Sequence, residues 1–483
     1  MLVFLLSLVP GGLAEAKKVP VRIGALHNVS GALGSIGAPS LAGARLAVKQ
    51  LNDRGGLLGR PVKLPSRDGR SDPAVVAAQM RELVRRPHLA AITGLNDTTM
   101  ARAAAPIAEK ARTVFLTSGA TSPLVPSEFP RFYFMACFGD NTQAAAGAEY
   151  AHGALGAKTA WLLFDETTDY TLLLARYFKE RYTDLGGEIV GEDTYSGGAT
   201  DFTAQIERIL ALPSMPDVLY VSAGPDDIGR LVKQLRDAGI DRPIVGGDGY
   251  DTPLLLEQAG TAADEVYFTT HAFLDPETAT PRQRQFIADY RAEYGGPPET
   301  AFAALGYDAV MLVADAIERA GSAKRKLIPA PLEATDRFPA VTGAINFGPG
   351  LHIPEKEVTI VKADAGQLTL AAVLQPQQVP EPNDFSLGKV KKNKPKGTAK
   401  LTVNVPGPGE LDLAKTKKVK ADDERAEDAG NEKLSIKPKG KAKKRLNHKG
   451  KAKVEAKVTY TPDGSDPTIV GSTDTRTVKL VKR

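Results

Sequence analysis

A short apolar run followed by a helical stretch recurs along the first 250 residues and then restarts, and this rhythm limits the fold more than any other feature of the chain. Val21-Arg22-Ile23-Gly24-Ala25-Leu26 is the first apolar run. Ser40 then opens a helical period with Leu41, Ala44, Ala47, Val48 and Leu51 on one face, ended by Gly55-Gly56. Val62 and Leu64 begin a second strand. Asp72-Pro73 starts a helix, because an Asp side chain accepts free first-turn amides and proline suits the first helical position. His88–Thr93 and Thr113–Thr117 are the third and fourth strands. The pattern restarts at Thr159–Phe164, with a helix to about Leu185. Glu188-Ile189-Val190, a helix from Asp201, Asp217–Val221, a helix from Pro225 and Ile244–Gly246 follow. Near-continuous apolar strands between helices belong to parallel sheets covered on both faces. The sequence therefore predicts an α/β fold of two doubly wound parallel-sheet lobes facing a cleft. A ligand in such sheets sits beyond the carboxyl ends of the strands.

The net charge of +5 conceals a segregation. Residues 389–483 hold 26 Lys and Arg against 12 Asp and Glu, which is +14 and leaves −9 for the remainder. A Pro-rich stretch, Gln375-Pro376 to Pro380-Glu381-Pro382, separates the two bodies, and residues 376–398 read as a linker. Beyond it, Leu401-Thr402-Val403-Asn404-Val405, Leu411-Asp412-Leu413, Leu434-Ser435-Ile436, Val454–Tyr460 and Thr477–Val481 alternate with period two, and Pro-Gly turns lie between them. This predicts a small basic antiparallel β-sandwich-like domain over 399–483, all-β and Ig-like, with Lys on its outer faces and a polar loop over Lys415–Asn431. A polybasic disordered tail is the alternative reading.

At the amino end, Leu2–Val9 is a compact apolar core followed by Ala14-Glu15-Ala16, a small-x-small cleavage pattern. Residues 1–16 thus read as a signal peptide, although no basic residue precedes the core. Cys137, the single cysteine, excludes an intramolecular disulfide and a multi-cysteine zinc site. The six histidines show no metal-ligand spacing, and neither a Gly-x-Ser-x-Gly elbow nor a Gly-x-x-x-x-Gly-Lys phosphate loop occurs. The expectation is a protein without cofactor or metal and not an enzyme.

Several ordered fragments carry a family resemblance: Ile23-Gly24 leading to Ser30-Gly31 and Gly37; Asn52-Asp53-Arg54-Gly55-Gly56-Leu57-Leu58-Gly59; Asp72-Pro73; Thr117–Pro123; Gly246-Gly247-Asp248-Gly249-Tyr250; Gly306-Tyr307-Asp308-Ala309; and Thr342–Phe347. Over about residues 19–375 the chain resembles the branched-chain amino-acid-binding proteins of ABC importers, the type I periplasmic binding fold. The resemblance implies lobe 1 from 17–140 and 269–346, and lobe 2 from 141–268 and 347–375. It implies an exported protein, periplasmic or envelope-associated, that takes up an amino-acid-like solute and delivers it to an ABC permease.

The residues offer matching chemistry. Gly119 and Ala120 lie in the loop after the fourth strand, where backbone N–H groups can meet a ligand carboxylate. Thr98 and Thr121 hydroxyls can donate to the same group. Asp248, after a second-lobe strand, can accept from a ligand ammonium in a charge-assisted bond. By resemblance Asp97, Gly119, Thr121 and Asp248 fall on ligand-contacting positions, and Tyr170 stands one place from a usual aromatic. Ile36 and Gly224 stand where the family commonly carries aromatics, and Asp97 where it often has Ser. The pocket so read keeps its polar anchors and loses aromatic walls, which extends the expected ligands to amides, urea-like compounds and cations. Asp97 equally suits a helix N-cap, and Asp248 a Gly-Asp-Gly turn. Two other functions share the sequence: a receptor-like sensing module using the same cleft, and an envelope-associated protein whose basic tail holds an anionic polymer. No nucleic acid is expected, because Lys437–Lys453 has no interleaved aromatics.

Overall fold

The computed structural model describes residues 18–347, 352–379, 385–405, 409–427, 430–462 and 472–482. The signal-peptide reading of residues 1–16 lies outside them. The first sheet is built from β1 (Val21–His27), followed by α1 (Gly34–Asp53), β2 (Val62–Lys63), β3 (Ser66–Asp68), α2 (Pro73–Val84), β4 (Leu89–Gly94), α3 (Thr98–Ala111), β5 (Val114–Thr117), α4 (Leu124–Glu128) and β6 (Tyr133–Met135). Its strand order is β2-β1-β4-β5-β6, with β3 also on β1, and every pairing is parallel. Asp72 caps α2 by accepting from Ala74 N and Val75 N at 2.7 and 3.0 Å, with Pro73 at the first position. α1 begins at Gly34 rather than at Ser40, and Pro39 lies inside it.

The chain then passes to the second lobe: α5 (Asp140–Glu149), β7 (Thr159–Asp165), α6 (Asp169–Asp184), β8 (Glu188–Tyr195), α7 (Thr203–Leu210), β9 (Val218–Ser222), α8 (Ile228–Asp237), β10 (Ile244–Gly246), α9 (Leu254–Ala259) and β11 (Val266–Thr270). It returns to the first lobe for α10 (Pro281–Tyr294), α11 (Ala301–Arg319), α12 (Pro329–Glu333) and the hairpin β12 (Phe338–Ala340) and β13 (Gly343–Ile345), whose apolar residues join the core around α1. The second lobe is completed by β14 (Val358–Asp364) and β15 (Gln367–Leu374). Its order is β15-β14-β11-β10-β9-β7-β8; the parallel strands β11 to β8 are extended at one edge by this antiparallel hairpin. The chain thus passes between the lobes after β6, after β11 and after β13.

The segment after β15 is tied down rather than free. Val379 N donates to Asn141 O, Asn141 Nδ2 donates to Val379 O, and Gln377 N donates to Glu149 Oε1, all onto α5. The linker expected over 376–398 also contains β16 (Ser386–Asn393), antiparallel to β17 (Thr398–Val405). A register shift between Leu387 and Val390, among several lysines, hides its alternation in the sequence. The other strands of the C-terminal domain are β18 (Gly409–Leu413), β19 (Asp422–Ala426), β20 (Gly430–Ile436), β21 (Lys451–Pro462) and β22 (Ser472–Val481), with α13 (Gly440–Lys449) between β20 and β21. They form two antiparallel sheets, β16-β17-β20 and β19-β18-β21-β22, around one apolar core.

Two expectations for this domain need correction. β19 falls inside the expected loop Lys415–Asn431. It is an edge strand held by backbone bonds to β18, with only Ala426 fully buried, so it has no apolar stripe to announce it. The domain is also not all-β. α13 buries only Ala442 and Leu446, one turn apart, too sparse a face to be read as amphipathic, and it ends on Gly450 in the left-handed region at φ 64°.

Candidate functional site

The carboxyl ends of β1, β4 and β5 supply the first-lobe wall. Asp97 has extended backbone and accepts from Met100 N at 3.0 Å, so it is the N-cap of α3. Its carboxyl is pushed up to about 6, first by burial and further by the nearby charges of Asp169 and Asp165 on the second lobe. Thr98 and Thr99 follow in the first turn, and both hydroxyls are buried without a hydrogen-bond partner among the described residues. Such hydroxyls at the positive end of a 14-residue helix suit a ligand oxygen.

The loop after β5 behaves differently from the sequence reading. Gly119 N donates to Leu95 O at 3.2 Å, and Ala120 N donates to Thr117 Oγ1 at 3.0 Å. The first bond ties this loop to the end of β4, the second is local to the end of β5, and neither amide is free for a ligand. Gly119 is needed for packing: a Cβ there would stand 2.8 Å from Phe302 Cε1 and 3.1 Å from Asn96 Oδ1. Thr121 is buried, and its carbonyl accepts from Asp140 N at 2.7 Å.

The second-lobe wall centres on Asp248, directly after β10. Its Oδ1 accepts from Tyr170 OH at 2.9 Å and Gln143 Nε2 at 3.0 Å, and its Oδ2 lies 3.1 Å from His271 Nε2. Tyr170 OH in turn accepts from Gly249 N at 2.7 Å, and burial holds its phenol well above the usual range, so it stays a donor. Gln143 Oε1 accepts from Asp248 N at 3.1 Å and Thr269 Oγ1 at 2.8 Å. Burial lowers His271 despite the neighbouring Asp248 carboxylate. The neutral ring that donates from Nε2 leaves Nδ1 as an acceptor, and Nδ1 has no partner among the described residues.

The two walls meet. His271 stacks on Phe138 at 3.8 Å between ring centroids and meets Phe302 edge-on at 6.4 Å. Phe302 lies against Gly119, and His271 against Asp248, so these two rings link the loop after β5 to the groups around Asp248. Ala120, Thr121, Asp248 and His271 are each no more than 3% exposed. Arg102 of α3 bonds Glu128 at 2.8 Å and Asp169 of α6 at 3.0 Å, joining the lobes at the rim. Tyr170 and Asp248 are thus in contact; Thr98, Gly119, Ala120 and Thr121 are buried on the first lobe, and Asp97 caps α3. Gln143, His271 and Phe302 were not read from the sequence. No local spacing marks them, since each reaches the crevice from an element far away along the chain.

His27, at the end of β1, is fully buried, and neither ring nitrogen has a partner among the described residues. Burial, with a smaller contribution from the Arg45 charge, lowers it to about 3. Between pH ~6.5 and ~3 the unfolded chain therefore binds a proton that the fold does not, and stability falls as pH falls through that window by about 1.4 kcal/mol per pH unit. His27→Leu is expected to flatten the pH dependence of urea unfolding by that one proton. Equal slopes in both proteins would show that His27 is not the buried neutral group described.

Two doubly wound lobes joined by repeated crossings, with buried polar groups beyond their strand ends, define the class of two-lobed solute-binding proteins. Residues 20–367 match the model of the periplasmic binding protein family, and the chain belongs to that family. It is 32% identical to the leucine-binding protein LivK of Thermotoga maritima, with a TM-score of 0.69 over 74% of this chain and 99% of that one. It is 30% identical to LivJ of Streptococcus pneumoniae, a branched-chain amino acid transporter substrate-binding protein solved with isoleucine, with a TM-score of 0.69 over 74% and 100%. Among curated proteins, a Leu/Ile/Val-binding protein homolog of Brucella melitensis is 26% identical over 64% of this chain and 82% of its own length.

Proposed function

We propose that the protein is exported, captures an amino acid or a related amide or amine between its lobes, and delivers it to an ABC permease without chemical turnover. One pair of observations carries the reading: on the second lobe a buried carboxylate, Asp248, is held by Tyr170, Gln143 and His271, and on the first lobe the buried hydroxyls of Thr98 and Thr99 at the start of α3 have no partner among the described residues. A carboxylate and a bare imidazole nitrogen on one wall suit ligand N–H groups, and hydroxyls at a helix start on the other suit a ligand oxygen. The similarity to proteins named for leucine, isoleucine and valine supports the amino-acid class. Micromolar capture needs about −8 kcal/mol, within reach of two charge-assisted anchors and modest apolar burial.

The test is a thermal-shift screen of the full chain against leucine, isoleucine, asparagine, urea, putrescine and benzoate. A true ligand at about a hundred times its dissociation constant adds about 2.7 kcal/mol, a rise of several degrees. Stabilisation by benzoate with no response to any nitrogen-bearing compound would overturn the proposed class.

A further inference from the structure

We propose that one sheet face of the C-terminal domain is a docking surface for an extended anionic polysaccharide. In the sequence, residues 389–409 and 433–454 contain no acid, and together they carry 15 Lys and one Arg. The fold brings these two stretches together. β17 and β20 pair so that Thr402 faces Lys433 and Lys400 faces Ser435. The turn after β16 lies against α13: a Cβ at Gly397 would come 2.6 Å from Leu446 Cδ2 and 3.3 Å from Lys482 Cβ. The acids Glu410 and Asp412 lie on β18, which pairs with the far end of β21, away from Lys451 at its start, and Asp422, Asp423 and Glu424 lie on β19, which pairs with β18 and brings Asp422 to Ser435 N and Lys437.

Lys391, Lys392, Lys394, Lys400 and Lys433 line a surface groove of about 720 Å³ across the first of the two sheets. None of them has an ion-pair partner among the described residues, although Lys437 nearby is paired with Asp422. Lys391 and Lys400 are direct cross-strand partners. Like charges opposed in this way destabilise a sheet, and an anion lying between them relieves the repulsion. A groove fits a chain rather than a flat bilayer. Among the described residues, no large apolar or aromatic side chain of this domain is prominently exposed. The surface therefore offers neither a membrane wedge nor a base-stacking platform. Charge complementarity with a linear, non-aromatic polyanion remains.

The experiment measures binding of the full chain to heparin and to polygalacturonate at low and raised salt. The variant is Lys391→Glu/Lys400→Glu/Lys433→Glu. The control, Lys63→Glu/Lys110→Glu/Lys326→Glu, makes the same change of charge at exposed lysines of the first lobe. The groove variant is expected to lose about tenfold or more in affinity while the control stays near the parent, with binding that weakens as salt screens it. Should the Glu variant fail to fold, the Lys→Gln triple variant is expected to show a smaller loss of the same sign. Equal loss in groove variant and control, loss in neither, or tighter binding to anionic lipid vesicles or duplex DNA than to both polysaccharides would each overturn the proposal.

Discussion

Asp248→Ala is expected to weaken binding of the best stabiliser from the amino-acid and amide screen about a hundredfold in titration calorimetry, because truncating one partner of a buried charged contact costs about 2–5 kcal/mol. The loss has two sources. The ligand's N–H groups lose a charged acceptor. Tyr170 OH and His271 Nε2, which point at this carboxylate, also lose their acceptor when the lobes shut over them, while Gln143 Nε2 keeps Asp140 Oδ1. In an open state water can solvate the same two groups, so the penalty falls on closure and the fold itself is expected to survive. Asp248→Asn separates charge from shape: it retains an oxygen for Tyr170 but no net charge, and is expected to fall between the two. Unchanged affinity in the Ala variant, with an unfolding midpoint near the parent's, would remove Asp248 from the site and with it the proposed capture of a nitrogen-bearing solute.

Gly306→Val is the largest expected effect on stability. α1 and α11 cross with their backbones in contact at two glycines: a Cβ on Gly43 would stand 1.8 Å from Ala303 O, and one on Gly306 1.9 Å from Ser40 O. Neither neighbour is the end of a flexible side chain, so a new side chain must push the helices apart. The core that they seal, with Ala44, Ala47, Leu51, Ala303, Val310 and Val313, would open with them. Overpacking of a core costs about 1–3 kcal/mol when side chains can adjust, and a clash with backbone belongs at or beyond the upper end. The expected result is a fall in the first thermal transition of roughly 10 °C, at a few degrees per kcal/mol. Gly147→Ala is the contrast. Its Cβ would meet nothing closer than 3.5 Å, and it lies inside α5, so it is expected to be neutral or mildly stabilising. Similar midpoints for Gly306→Val and the parent would mean that α1 and α11 are not packed as described.

Much of the fold was legible because its signals are local. Asp72-Pro73 caps α2 through bonds to amides two and three residues on, and the buried runs of β1, β4, β5, β7 and β9 declare themselves through their own composition. Asp248 and Tyr170 were legible as candidates from the Gly-rich fragment and the family resemblance, and the structure puts the two in contact. Where the sequence reading failed, the signal was weak for a physical reason. β19 buries almost nothing, α13 buries two residues, and the amide of Gly119 was assigned to a ligand because its real acceptor, Leu95 O, depends on how two loops pack, while Ala120 N is taken by the local Thr117 hydroxyl.

By itself the sequence determined the succession of strands and helices, the placing of candidate polar groups beyond strand ends, and the segregation of charge into a basic tail. Each follows from periodicity, capping or composition within a few residues. Only the tertiary structure decided that Gln143 and His271 orient Asp248, that Phe302 fills the space Gly119 leaves, and that two acid-free stretches of the tail share one groove. Those outcomes depend on contacts between residues far apart along the chain, and side-chain packing, not local propensity, sets which of them form.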